Sequence, residues 1–176
     1  MTLRTFENHT PKIGDGVYID DTALIIGDVE IGCDSSVWPF TIIRSDVNHI
    51  RIGEATNIQD HSVLHVSHAG GPYNPEGNAL EIGDRITIGH RVTLHGCTLH
   101  DDCLIGMGAT IMDGVIIHAE TIIGAGSLVP PGKELEGGYL WLGSPARRVR
   151  ALSEEEKESI RYSAQHYLRL KARHQK

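Results

Sequence analysis

The sequence predicts an all-β solenoid, a parallel β-helix of triangular cross-section with one α-helix packed alongside its C-terminal end. Three observations carry that expectation. An apolar residue returns every six positions through most of the chain. Glycine supplies 20 of 176 residues and is scattered through apolar sequence rather than gathered in linkers. Aromatic residues make up only 5 %, too few for an ordinary globular core but suited to a narrow interior.

The series opens at Ile13 and runs through Ile19, Ile25, Ile31, Val37 and Ile43. After a three-residue excess it resumes at Ile52, Ile58 and Leu64, then at Ile82, Ile88 and Leu94. One residue short, it continues at Leu99, Ile105, Ile111, Ile117, Ile123 and Val129. All eighteen positions are Ile, Leu or Val. Six is neither the period of a helix nor the 8–12-residue rhythm of hairpins. It is the repeat of a solenoid in which each hexad is one short strand and a corner. Small or β-branched residues four positions later, such as Ala23, Val29, Thr41, Thr56 and Ala109, fill the neighbouring interior site. In seven hexads the residue after the apolar one is Gly, read here as permitting the turn. Three hexads per coil make a prism, and eighteen make six coils. A β-sandwich would need all of these spacings to arise by chance.

Two segments leave the pattern. Residues 67–79, SHAGGPYNPEGNA, place Gly70 and Glu76 where apolar residues are due, and carry two Pro and three Gly. They read as a loop thrown out of one corner, and long loops in compact domains are commonly functional or disordered. Residues 153–173 read as a helix. Ser153 with Glu156 forms a capping box, acids crowd its first turn and bases its last, and Ile160, Ala164, Tyr167 and Leu168 share one face. One domain unit follows: the prism over 1–150 with its inserted loop, and the helix over 151–176 against its side.

Composition removes several classes of function. With 16 Lys and Arg against 23 Asp and Glu the formal charge is −7, so no basic stripe for nucleic acid or polybasic membrane surface is expected. Arg147, Arg148 and Arg150 are too few for either. No apolar run approaches the roughly 18 residues of a membrane span, and the N-terminal residues lack the apolar core of a signal peptide. Three cysteines without a C-x-x-C pair indicate neither a disulfide framework nor a cysteine zinc knuckle. A soluble, cytoplasmic protein is expected, with Cys97 and Cys103 as packing residues.

Eleven histidines are dispersed along the chain, and the hexad phase sorts them. Ile52, Ile58 and Leu64 occupy faces one, two and three, and Ile82, Ile88 and Leu94 the same faces one coil on. His65 and His95 each follow the face-three residue, so they stack in adjacent rungs about 4.8 Å apart and point outward. Arg44 occupies the same column one rung earlier. His90 lies on face two, across a prism edge, and can meet the pair only if a second subunit lays its face two against face three. Such a heterologous contact closes into a ring, and a triangular section makes a homotrimer the natural closure. Three imidazoles with an open fourth position form a hydratase-type zinc site, which lowers the pKa of bound water to about 7. Fe²⁺ or Co²⁺ would also fit imidazole, whereas Mg²⁺ and Ca²⁺ prefer oxygen.

Each residue also has a plainer reading. His65 or His95 alone would be a surface strand histidine; their shared column, with His90 on the apposed face, points to metal. Arg44 and Asp46 read either as an ordinary surface pair or as a clamp across the trimer seam. Asn57, Gln59 and Asp60 read as corner residues satisfying turn backbone, although Gln59, after Ile58, should face the pocket of His90. His9, His49, His61, His100, His118 and His174 lack such geometry and are expected to be solvated.

The segments IIRSD at 42–46, NIQDHSVLH at 57–65 and IGHRVTLHGC at 88–97 resemble the γ-class carbonic anhydrase family of the left-handed hexapeptide-repeat superfamily. The resemblance extends over about residues 10–170. Left-handedness comes from it alone, since the general rule for parallel crossovers gives the opposite hand. The resemblance implies that His65, His90 and His95 hold the metal, with His90 from the neighbouring subunit of a trimer. It implies that Arg44 and Asp46 bridge subunits and that Gln59 orients metal-bound water, with Asn57 and Asp60 nearby. In YSAQHY, Gln165 and His166 stand around a family Asn position, leaving Tyr162 and Tyr167 as candidates. The best-studied branch has glutamates beside the Asp and shortly after the first ligand, the latter a proton shuttle; here Val47 and His68 stand there. His68, or Glu76 in the loop, is the candidate proton carrier.

The implied activity is reversible hydration of CO₂ to bicarbonate by metal hydroxide. Three alternatives stand beside it. GSPAR at 143–147 resembles the coil-end sequence of hexapeptide-repeat acyltransferases that use coenzyme A. The same hydroxide could hydrolyse a thioester or another small carbonyl compound. A non-catalytic trimer stapled by metal is the third.

Overall fold

A computed structural model describes residues 2–71 and 74–175. The chain winds as a left-handed parallel β-helix with a single α-helix at its C-terminal end. The hexad phase is met residue for residue. Face one stacks Ile13, Ile31, Ile52, Ile82, Leu99 and Ile117 in register. Face two stacks Ile19, Val37, Ile58, Ile88, Ile105 and Ile123. Face three stacks Ile25, Ile43, Leu64, Leu94, Ile111 and Val129. From Ile25 to Val129 none of these interior residues is more than 4 % exposed, and each buried side chain contributes about 1.5–3 kcal/mol.

The second interior position explains why so many hydroxyls are tolerated. Ser35, Thr41, Thr56 and Ser62 are buried, yet each donates to a backbone carbonyl one rung on: Gly53, Gln59, Gly83 and Gly89. Burying a hydroxyl is costly only when it lacks a partner. Among the described residues, every buried side-chain polar atom has one.

The corners correct one expectation. Gly after the interior residue does not make the turn. The left-handed residue lies two positions further on: Asp34, Ala55, Arg85, Asp102 and Glu120 between faces one and two, and Phe40, His61 and Arg91 between faces two and three, all with φ between 53° and 62°. The earlier glycines serve close approach of rungs. A Cβ on Gly32 would lie 2.6 Å from the carbonyl carbon of Gly53, and one on Gly53 at the same distance from that of Gly83.

The coil runs further at both ends than the periodicity suggests. Thr2–Arg4 pairs with Leu24–Ile31, setting Leu3 beside Ile25. Leu135 and Trp141 continue faces one and two beyond Val129. Tyr139–Gly143 then turns back on Ala146–Ala151 as an antiparallel hairpin.

The helix spans Glu154–His174, and the capping box of Ser153 and Glu156 is formed. It runs along the prism, and its side chains fasten to several coils along its length. Arg161 pairs with Glu120, Ser163 meets Thr87, and Tyr167 packs edge-on against Trp38 at 5.6 Å. Lys171, 5 % exposed, donates to Gly16 O at 2.6 Å and to Asp34 at 2.8 Å. Ile160 and Ala164 are buried as the periodicity predicts, and Tyr167 and Leu168 half-buried.

Every break in the six-residue period falls at one corner, between faces three and one. The step there is nine residues from Ile43 to Ile52, eighteen from Leu64 to Ile82, and five from Leu94 to Leu99. In the first, Ile42–Ile52 is continuous and passes through the corner, joining faces three and one into one sheet. In the second, Ser67 and Asn78 pair across the neck of the loop. No helix among the described residues is long and apolar enough to cross a membrane.

Candidate metal centre

His65 and His95 end the strands Val63–His65 and Thr93–His95, paired in register at the start of that irregular corner. Leu64 and Leu94 are fully buried, which turns the next side chain of each strand outward. The two imidazoles therefore lie side by side, ring centroids 5.0 Å apart, with His65 Nδ1 and His95 Nε2 separated by 3.0 Å. Each ring's other nitrogen faces a carboxylate. His65 Nε2 lies 3.1 Å from Asp46, and His95 Nδ1 lies 2.9 Å from Asp113.

That arrangement has an electronic consequence. A carboxylate only accepts hydrogen bonds, so in the neutral imidazoles the protons sit at His65 Nε2 and His95 Nδ1. The nitrogens that face each other then both present lone pairs. Such a contact is repulsive unless a proton or a cation lies between them. Burial pushes the His65 imidazole below its usual pKa, with Arg44 and His95 acting the same way and Asp46 against them. Burial alone would raise the Asp46 carboxyl, but hydrogen bonds with Arg44 and His65 hold it below the ordinary range.

Arg44 and Asp46 pair within the chain, Nη1 to Oδ2 at 2.5 Å. His90 stands at the other end of face three's strands, in the corner between faces two and three. Its Nδ1 lies 2.9 Å from Asp60, and an open cleft there is lined by Asp60, His61, His90 and Arg91. Among the described residues of one chain, no three potential ligands gather around one point. Gln59 and Asn57 are buried on face two: Gln59 Nε2 donates to Asn57 Oδ1 at 3.2 Å, and Asn57 Nδ2 to Thr87 at 3.0 Å.

The helix residues separate. Tyr167 faces the prism, its hydroxyl raised in pKa by burial and then by Asp60. Tyr162 is 60 % exposed and lies against Arg169 and His166 on the outer face. His68 and Glu76 are exposed in the loop. Of the remaining histidines, His49 is half-buried against Glu81 at 2.7 Å rather than solvated, while His100 is exposed as expected and stacks in parallel on His118 along face one. Cys97 and Cys103 are buried, and burial pushes the Cys103 thiol up to about 12. Asp113 is a functional candidate that the sequence does not reveal. A single Asp in a corner carries no signal until the rung register sets it beside His95.

Comparison with known proteins gives a consistent family. The family model "Bacterial transferase hexapeptide (six repeats)" matches residues 96–131. Protein YrdA of Escherichia coli is 51 % identical over 96 % of this chain and 91 % of its own. A Methanocaldococcus jannaschii protein named "Probable carbonic anhydrase" is 45 % identical over 90 % of this chain and 94 % of its own. "Gamma carbonic anhydrase 2, mitochondrial" of Arabidopsis thaliana is 40 % identical over 96 % of this chain, which spans 60 % of that relative. Among solved structures, a hexapeptide transferase family protein from Anaplasma phagocytophilum superposes with a TM-score of 0.88 at 37 % identity, covering 97 % of this chain and 96 % of that one.

Proposed function

The chain belongs to the γ-class carbonic anhydrase family of left-handed hexapeptide-repeat proteins, and from that premise we propose that it is a zinc-dependent hydratase of CO₂, active as a homotrimer. The observation that carries the reading is the pair of lone-pair nitrogens of His65 and His95, 3.0 Å apart. Two nitrogens on one tetrahedral zinc lie roughly 3.3 Å apart at ordinary Zn–N lengths of about 2.0–2.1 Å, so a small opening of the pair suffices. The donor set also suits the ion, because imidazoles backed by carboxylates are the usual surroundings of bound zinc. His65 and His95 would hold zinc with His90 of an adjoining subunit, whose Nε2 is left free by the contact of Nδ1 with Asp60.

Zinc held there supplies Lewis acidity that makes a nucleophile from water at neutral pH. The chain's own residues supply the rest. Gln59, fixed through Asn57, is suited to orient a small polar reactant near His90. Arg44 and Asp46 stiffen the edge that carries His65. His68, exposed on the loop, is the candidate to pass to solvent the proton that hydration releases.

The test is metal analysis, solution mass and stopped-flow CO₂ hydration on anaerobically purified protein. One zinc per chain, a trimer and measurable hydration are expected, and His65→Ala should lose the metal and the activity while keeping the fold. The transferase name of the structural relative motivates a coenzyme A titration beside it. Saturable coenzyme A binding by protein without metal would favour acyl transfer. Metal-loaded trimers that cleave thioesters but ignore CO₂ would favour a thioesterase, and trimers inert toward both a structural metal.

A further inference from the structure

Asp113 lies two positions after the interior residue Ile111, which pairs with Leu94, so the rung after His95 brings its carboxylate back to the ring. Oδ1 stands 2.9 Å from His95 Nδ1, and both side chains are about one-third exposed, at 32 % and 34 %. The path between them is kept open by Gly96, where an added Cβ would strike that same carboxylate and where φ is +53°. His90 repeats the device with Nδ1 on Asp60 at 2.9 Å, this time from the preceding rung. An exposed pair of this kind contributes little to stability, so its geometry calls for another reason.

We infer that Asp113 is a positioning residue: it holds His95 as the Nδ1–H tautomer, with Nε2 aimed at His65. An acceptor at Nδ1 leaves the proton no other place in the neutral ring, and it restrains rotation about the ring axis. Its purpose rests on the metal reading above, because an anchored ring presents its lone pair without first being ordered. The tautomer itself does not rest on that reading.

The experiment uses full-length protein labelled with ¹⁵N in histidine, metal-free at pH 8, with His95 assigned through His95→Gln. Two-bond ¹H–¹⁵N spectra should show wild-type His95 wholly as Nδ1–H. Asp113→Ala should release it to a mixture or to Nε2–H, and Asp113→Asn should largely keep it, since the amide oxygen still accepts. Zinc affinity, read by chelator competition, should fall about 10–100-fold in Asp113→Ala and less in Asp113→Asn, with far-UV circular dichroism and melting temperature unchanged. An unaltered His95 spectrum and zinc affinity in Asp113→Ala would overturn the inference, as would a wild-type Nε2–H ring. Wild-type protein that shows the Nδ1–H form and its loss in Asp113→Ala, yet takes up no zinc, would sink the metal reading while upholding the pairing.

Discussion

Two corners of the same prism obey different rules. Between faces one and two every step is six residues, from Ile13 to Ile19 through Ile117 to Ile123. Between faces three and one the step varies from five to eighteen. The strict corner is tied on both sides. Arg85 bridges to Asp101 and Asp102 of the next rung, and the helix fastens to Glu120 and Asp34 through Arg161 and Lys171. An inserted residue there would shift charges, rungs and helix together. The loose corner has cross-rung ties of its own, Arg51 to Asp28 and His49 to Glu81, but the helix fastens elsewhere, and extra residues there can bulge outward into solvent. His65 and His95 stand on strand ends just before it. Rigid strands thus fix the imidazoles, while the neighbouring backbone is free to differ in length.

The contrast breaks most sharply at Gly53, in the strict corner. A Cβ there would lie 2.6 Å from the carbonyl carbon and 2.7 Å from the oxygen of Gly83. Both are backbone atoms of a stacked rung and cannot swing aside. Gly53→Ala should cost about 3 kcal/mol, read from the urea midpoint at fixed protein concentration, since self-association would make stability concentration-dependent. A loss below roughly 0.5 kcal/mol would show that rungs slide at this corner as freely as at the other.

Excision of the loop is the opposite experiment. Ser67 and Asn78 exchange backbone hydrogen bonds at 3.1 and 3.3 Å, the geometry that a two-residue hairpin turn closes. Replacing residues 68–77 by Asn-Gly should leave stability within about 1 kcal/mol, because shortening a loop lowers its closure entropy cost only slowly. The same variant removes His68 and Glu76. Its CO₂ hydration should fall most in weak buffer and recover as buffer concentration rises, the signature of a lost proton carrier. Unchanged turnover in weak buffer would take the loop out of proton transfer.

Periodicity alone makes most of this molecule legible. Eighteen in-phase residues set the prism, its faces and the stacking of His65 on His95, because a six-residue repeat fixes which side chains share a column. The hand is not legible from hydrophobic pattern, which is blind to chirality, and enters through family resemblance. Trp141 escapes a search for interior residues that admits only Ile, Leu and Val. Gly32 and Gly53 pass for turn-makers because sequence shows a glycine without showing whether backbone freedom or missing volume is needed. Asp113 and Lys171 stay hidden for a common reason: each acts through a partner distant in the chain, His95 for one and Asp34 for the other. His90's role lies beyond any single chain, since its partners under the proposed function belong to another copy.

The smallest expected effect bears on the same corner as the largest. Ala55, two residues after Gly53, has φ +53°, the left-handed region that costs an L-residue about 1–2 kcal/mol. Its amide still bonds Cys33 O at 3.0 Å, and Gly at this position would keep that bond. Ala55→Gly relieves the strain but adds roughly 0.5–1 kcal/mol of unfolded-chain entropy to be lost on folding. The balance is a gain of up to about 1.5 kcal/mol, measured beside Gly53→Ala under identical conditions. The two variants exchange the same pair of residues in opposite directions at neighbouring sites. If the corner needs volume removed at one and conformational freedom at the other, their signs must differ: loss for Ala at 53, no loss for Gly at 55. A loss above roughly 1 kcal/mol for Ala55→Gly would mean that the methyl group's packing outweighs the backbone strain, and that this corner's regularity comes from side-chain contacts rather than from where each turn must bend.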